Sequence, residues 1–329
     1  MKKVINNPGD VVEEMLEGIM RAHQNSFQKI DGVNGIVKKQ LKDKVAVVTG
    51  GGSGHEPLFF GVVGDGLADG VAIGNVFAAP TPNTVQEVAK TVDSGKGVLF
   101  IYGNYAGDVL NFDMAAELLE FEDIQTTTVK VTDDVASAPV ERQEDRRGIA
   151  GDIFVIKVAG AAAEKGLSLE EVTAVTQKAN NHTYSIGVAL SPGTIPDSGE
   201  PTFTLADDEI ELGMGIHGEP GMERTKLMPA DELTKQLMEK LLNESKLTSG
   251  EEVSVLINGL GSTTLMELFI VNRKVAQILD EKGIGIHDMD VNNYCTTQEM
   301  GGFSISLLKL DDELKAYYDA PAKAPYYKK

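Results

Sequence analysis

The stretch Val45-Ala46-Val47-Val48-Thr49-Gly50-Gly51-Gly52-Ser53-Gly54-His55-Glu56-Pro57 decides how this chain folds. Val45 to Val48 is β-branched and apolar without a break and reads as a buried strand. It runs directly into a glycine loop that ends in a histidine. An α/β sheet builds its sites in this way, at the carboxyl ends of its strands. The registers of better-known loops do not fit. The pattern G-x-G-x-x-G fails because His55 stands where the third glycine belongs, and G-x-S-x-G fails because His55 occupies its last position. No G-K-[ST] follows, so there is no Walker phosphate loop. The consecutive backbone N–H groups of the loop still suit hydroxyl or phosphate oxygens.

Outward from this point the N-terminal part alternates helix and strand patterns. Val12, Met15, Leu16, Ile19 and Met20 mark an amphipathic helix over 11–23. Pro80-Thr81-Pro82 opens a helix over 84–92, Gly97 to Tyr102 is a second strand, 114–119 continues as helix, and Thr127 to Val131 is a third strand. Residues 148–165 read as a helix closed by Gly166, and Ser168-Leu169-Glu170-Glu171 is a capping box that starts another, ending near Asn181. From Ser185 the pattern changes. Short strands at 185–190, 203–205 and 211–216 stand between Pro-Gly loops. They are followed by a helix at 229–242, a strand at 253–257 and a long helix at 265–282. Phe303 to Leu310 alternates and reads as an edge-like strand with one solvated face. The expected fold class is α/β in two domains. Residues 1–181 form a mostly parallel sheet with flanking helices and carry the glycine-loop site. Residues 182–329 form a smaller mixed α/β domain that carries His217.

Three polar side chains stand out at loop positions. His55 closes the first glycine loop. Asp108 follows the second strand, in Gly103-Asn104-Tyr105-Ala106-Gly107-Asp108. His217 sits in Gly213-Met214-Gly215-Ile216-His217-Gly218-Glu219-Pro220-Gly221, where glycines allow close approach of a ligand to the backbone. Read singly, His217 suits either a solvated turn or a base, metal ligand or nucleophile. Asp108 suits a turn as well as a base. Two histidines and Asp108 could ligate a metal, but no His-x-His or His-x3-His pair favours it, and no metal is expected. Asp133-Asp134 reads as a strand-end turn or a cation site, and Arg146-Arg147 as a phosphate grip or a salt-bridged loop.

Composition narrows the class. The chain has 329 residues, 42% hydrophobic and 24% charged, which is the soluble globular range and enough for two domains. Fifty acidic against 30 basic side chains give a net charge of −20, which argues against nucleic acid or an anionic membrane as partner. One cysteine, Cys295, excludes an internal disulfide framework. Nothing at the N-terminus resembles a signal peptide, and no apolar run approaches the ~18–20 residues that cross a bilayer. A cytoplasmic chain is expected.

At these motifs the chain resembles the sugar-binding K subunit of dihydroxyacetone kinases. The residues that carry the likeness are Gly-Gly-Gly-Ser-Gly-His-Glu-Pro at 50–57, Ala-Pro-Thr-Pro at 79–82, Asn-Tyr-Ala-Gly-Asp at 104–108, Asp133-Asp134-Val135, Arg146-Arg147-Gly148 and Gly-Ile-His-Gly-Glu-Pro-Gly at 215–221. The likeness continues through Asn258-Gly259-Leu260-Gly261 and Cys295-Thr296 to Phe303-Ser304-Ile305 and covers essentially the whole chain. It implies that His217 attacks the carbonyl carbon of dihydroxyacetone or a similar short ketose to form a hemiaminal. It implies that His55 and Asp108 bind the substrate hydroxyls and take the proton, and that Gly52, Ser53 and Gly54 line the pocket. A polyol has no electrophilic carbon and is refused, which is discrimination that hydroxyl contacts alone do not supply. The resemblance also implies a homodimer, and a partner L subunit that holds ADP or ATP with Mg2+, there being no nucleotide motif in this chain. Two family branches differ in whether a phosphotransferase-system protein or ATP is the donor. One departure stands out: Gly103 precedes Asn104 where many members carry lysine. This variant could mark a branch for another short ketose such as a tetrulose, or a ligand-binding paralogue that acts with a transcription regulator.

Overall fold

The computed structural model describes residues 2–329. The first sheet is built from β1 (Phe27–Lys29), β2 (Gly35–Lys38), β3 (Ala46–Ser53), β4 (Gly70–Val76), β5 (Val98–Gly103) and β6 (Thr126–Val131), in the order β1-β2-β4-β3-β5-β6. The β4-β3-β5-β6 run is parallel, and β2 and β1 close one edge antiparallel. β3 is buried along its whole length, as a Val-rich strand covered on both faces must be. Helices α1 (Val11–Ala22), α2 (Pro82–Val92), α3 (Ala106–Glu120), α4 (Asp152–Glu164) and α5 (Leu169–Asn181) flank this half. Thr81 caps α2 by accepting the Thr84 N–H, and the Ser168–Glu171 capping box opens α5.

The second sheet combines β7 (Thr183–Ser191), β8 (Glu209–Leu212), β9 (Glu223–Lys226), β10 (Glu252–Gly259), β11 (Gly285–Asn292) and β12 (Gly301–Leu310), in the order β11-β10-β12-β7-β8-β9. Only β10 and β11 pair in parallel. α6 (Ala230–Ser245), α7 (Leu265–Glu281) and α8 (Asp312–Tyr318) complete the fold. The largest core cluster runs from Val12 on α1 to Tyr327, so the last residues pack into the first half; a second cluster lies against the second sheet.

Several expectations need correction. Residues 203–205 form no strand, and the strand expected over 211–216 stops at Leu212 because Gly213 turns the backbone to φ +74°. The helix expected at 114–119 starts eight residues earlier, at Ala106, and the helix expected from 148 starts at Asp152. β12 is central, between β10 and β7, and buried on both faces. Its polar residues are paired inside: the Ser185 and Ser306 hydroxyls lie 2.6 Å apart. Alternation therefore signalled an internal hydrogen-bonded face, and the edge strands are β9 and β11. β4 and β9 had no clear strand pattern, because β4 contains Gly70 and Gly74 and β9 is Glu-Arg-Thr-Lys.

One buried ion cluster anchors the entry to β3 and β4. Asp69 lies 2.7 Å from Lys38 and 2.6 Å from Lys44 and also accepts the Val47 N–H at 2.9 Å. The three side chains are only 4–6% exposed. Removing one partner strands a buried charge, so Asp69→Ala is expected to cost about 3–5 kcal/mol, read as a fall in the urea midpoint.

Candidate active site

β3 runs into the glycine loop and delivers His55, which is 1% exposed. Residues from the far end of the chain pin the loop. The Gln298 N–H donates to Gly54 O at 2.8 Å, and the Thr296 hydroxyl donates to Glu56 O at 2.8 Å. His55 Nδ1 lies 2.7 Å from the carbonyl oxygen of Thr296. A carbonyl only accepts, so Nδ1 carries the proton and Nε2 is left as an acceptor.

The loop after β8 delivers His217, whose side chain is 24% exposed. Its Nδ1 lies 2.9 Å from Glu219 Oε1, and its backbone N–H donates to Glu219 Oε2 at 2.9 Å. The carboxylate also only accepts, so this Nδ1 is protonated too. The two Nε2 atoms then face each other at 3.0 Å. Two neutral rings in these tautomers would present lone pair to lone pair, so the contact holds one shared proton. Burial, reinforced by the charge of His217, pushes the pKa of His55 down to about 3, so His55 is the acceptor in this contact. Burial would raise Glu219, but its hydrogen bond and attraction to His217 outweigh burial and hold it at about 2.

Asp108 enters on the first turn of α3. Burial lifts its pKa to about 6, against the charge of His217, which pulls it down. Its Oδ1 is buried with no hydrogen-bond partner, and so is the hydroxyl of Tyr105, whose ring meets that of His217 edge-on at 4.7 Å. Burial, with the negative charge of Glu219 second, raises the Tyr105 hydroxyl well above its usual range. Phe77 closes a further side, 5.3 Å from the His55 ring and 5.7 Å from that of His217.

The structure thus brings His55, Asp108 and His217 together from both sheets. Gly52, Ser53 and Gly54 lie at the same loop, with their polar groups already engaged. The Ser53 hydroxyl donates to Gly74 O at 2.7 Å, the Gly54 N–H donates to both Glu56 oxygens at 3.0 Å, and a Cβ on Gly52 would come within 2.7 Å of Ala78 N. Arg146 is buried against Glu244 at 2.7 Å, and Arg147 pairs with Asp134 at 2.8 Å and with Gly213 O at 3.0 Å. Asp133 accepts the N–H groups of Ile149 and Gly151, both at 2.8 Å, so both motifs join internal networks. Tyr105, Glu219, Phe77 and Thr296 were not singled out as site residues. Glu219 had a signal: two residues beyond a histidine in a tight glycine turn, a carboxylate reaches back to the ring. Among the described residues no three His, Cys, Asp or Glu side chains converge to hold a metal ion.

Comparison with known proteins gives the family. The Dak1 domain matches residues 17–326. The chain belongs to the Dak1 family. The dihydroxyacetone-binding subunit DhaK of PTS-dependent dihydroxyacetone kinase 2 from Listeria innocua is 49% identical over 100% of this chain and 99% of its own length. The L-erythrulose kinase of Pectobacterium atrosepticum is 42% identical over 100% of this chain and 56% of its own length. Two solved structures share the fold. The dihydroxyacetone kinase from C. freundii in complex with AMP-PNP and Mg2+ superposes with TM-score 0.91 at 30% identity, over 99% of this chain and 61% of the other. The dihydroxyacetone kinase operon co-activator Dha-DhaQ superposes with TM-score 0.89 at 32% identity, over 95% of this chain and 97% of the other. Gly103, read above as a departure from the resemblance, packs closely: a Cβ there would lie 3.1 Å from the Tyr105 ring and 3.3 Å from Gly148 O.

Proposed function

We propose that this chain is the cytoplasmic ketose-binding subunit of a dihydroxyacetone kinase, which holds its substrate as a hemiaminal on His217. The observation that carries the reading is the Nε2 atom of His217, aimed at His55 Nε2 from 3.0 Å while Glu219 holds the ring from behind. A nucleophile needs one free lone pair in a fixed direction, with an acid–base partner in reach. Moving the shared proton onto His55 frees that lone pair. His55 then returns the proton to the carbonyl oxygen as the Nε2–C bond forms. The unpartnered Oδ1 of Asp108 accepts a substrate hydroxyl and removes its proton when that hydroxyl is phosphorylated. Tyr105 and Phe77 keep water from the reacting carbon.

The phosphoryl donor is ATP with Mg2+ on a partner L subunit, either taken up as ATP or regenerated there from held ADP by a phosphotransferase-system protein, and the partner closes over the partly exposed His217. Direct transfer requires donor and hydroxyl nearly in contact. The chain itself is a homodimer in this reading. Support comes from Leu265, Met266, Phe269 and Ile270, which expose a contiguous apolar surface on the first turns of α7. Mixing the purified chain with an L subunit and ATP or the phosphotransferase chain tests the proposal. Phosphorylation of dihydroxyacetone, with glycerol refused, is the expected result. Preference for erythrulose would move the substrate to a tetrulose. Ketose binding without turnover under either donor would replace the kinase by a sensor of the Dha-DhaQ type.

A further inference from the structure

Glu219 makes and breaks no bond in the chemistry above, yet both of its oxygens bind one residue, His217. Its surroundings hold it there. The Gly215 N–H donates to the backbone carbonyl of Glu219 at 3.1 Å, and the Gly218 N–H donates to Gly215 O at 3.1 Å, so the loop closes on itself. At Gly215 a Cβ would lie 2.2 Å from Glu219 Oε2 and 2.5 Å from a terminal nitrogen of Arg147. Only glycine leaves room here for both the carboxylate and the guanidinium. Arg147 is in turn fixed by Asp134. The groups that face the His217 ring are therefore Glu219, backed by Arg147 and Asp134, from one side, and His55, Tyr105 and Asp108 from the other.

We propose that Glu219 is a positioning residue that keeps the His217 ring positive before and after attack, so that the proton the ketose oxygen needs is stored in the site. This rests on the reading of His217 as the nucleophile. The proton count closes. At rest His217 carries Nδ1–H and the shared proton, one positive charge over the pair of rings. The shared proton passes to His55, and His217 Nε2 attacks the carbonyl carbon. The C=O π pair moves to oxygen, which takes the proton from His55. The product ring, alkylated at Nε2 and still protonated at Nδ1, again carries one positive charge. Glu219 faces a cation at both ends, and no proton is drawn from solvent. A charge-assisted hydrogen bond of this kind is stronger than a neutral one, and it also selects the tautomer.

Glu219→Gln tests this, since it keeps the shape and removes the charge. The probe is dihydroxyacetone labelled with 13C at the carbonyl, whose signal moves far upfield on forming a hemiaminal, titrated at about pH 6 and about pH 8. Wild type should form the adduct with little change between the two. The variant should bind at least about 10-fold more weakly at the higher pH, and the loss should shrink at the lower pH, where solvent supplies the missing proton. The 15N signal of His217 Nδ1 in the adduct should report a protonated ring in wild type. Wild-type affinity in the variant, or an equal loss at both pH values, overturns the role of Glu219 and leaves the nucleophile standing. No hemiaminal signal in wild type overturns both.

Discussion

His217→Ala is expected to abolish the covalent adduct and leave the fold intact. The side chain sits on a loop, a quarter exposed, and makes its ring contacts within the site: His55, Tyr105, Phe77 and Glu219. No core cluster includes it. Without His217 Nε2 the site loses its exposed nucleophile, because the other imidazole at hand, His55, keeps a lone pair on Nε2 but is only 1% exposed and has its ring held in place through Nδ1 by Thr296. The labelled carbonyl should therefore stay a free ketone or its hydrate at every concentration. Discrimination against glycerol should collapse with it, since only hydroxyl contacts remain. A ligand-bound crystal structure offers a second readout. Adduct formation in the alanine variant at the wild-type level would remove His217 from the mechanism.

Asp108→Asn should keep the adduct and lose turnover, by about 10²–10⁴-fold if Asp108 is the general base. The amide preserves shape and one acceptor oxygen but does not take the proton. The pH dependence gives an independent check. Burial raises Asp108 to about 6, so the ionised, proton-accepting form is lost as pH falls through that value. Turnover of wild type should fall on the acid side of about pH 6, and that limb should be missing from whatever activity the amide variant retains. Stability runs the opposite way. A carboxyl whose folded pKa is raised favours the folded state below its unfolded pKa and loses that advantage as pH rises through the folded value. The neutral amide is therefore expected to be no less stable than wild type at neutral pH, and a loss of turnover there would not be unfolding. Turnover near wild type in Asp108→Asn would transfer the proton to His55 or to the partner subunit.

The parallel half of the fold was legible because its signals are local. Val45 to Val48 is uniformly apolar, and Thr81 and Ser168 cap helices where the chain says they should. His55 and His217 were legible as turn residues after strands, since a glycine turn marks itself, whereas Asp108 was expected in a loop and lies on the first turn of α3. β9 and β11 were not, because polar strands such as Glu-Arg-Thr-Lys exist only by pairing with a neighbour. β12 was misread for a related reason. Ser304 and Ser306 look solvent-facing until Asn258 and Ser185 stand beside them. By itself the sequence determined the α/β class, the motifs and the residue types of the site. Only the tertiary structure decided that two histidines 162 residues apart face each other Nε2 to Nε2 at 3.0 Å, and that Thr296 and Glu219 set their tautomers. Periodicity and turn chemistry reach a few residues along the chain. A hydrogen bond between loops of two different sheets depends on how those sheets pack, and spacing along one sequence carries no record of that distance.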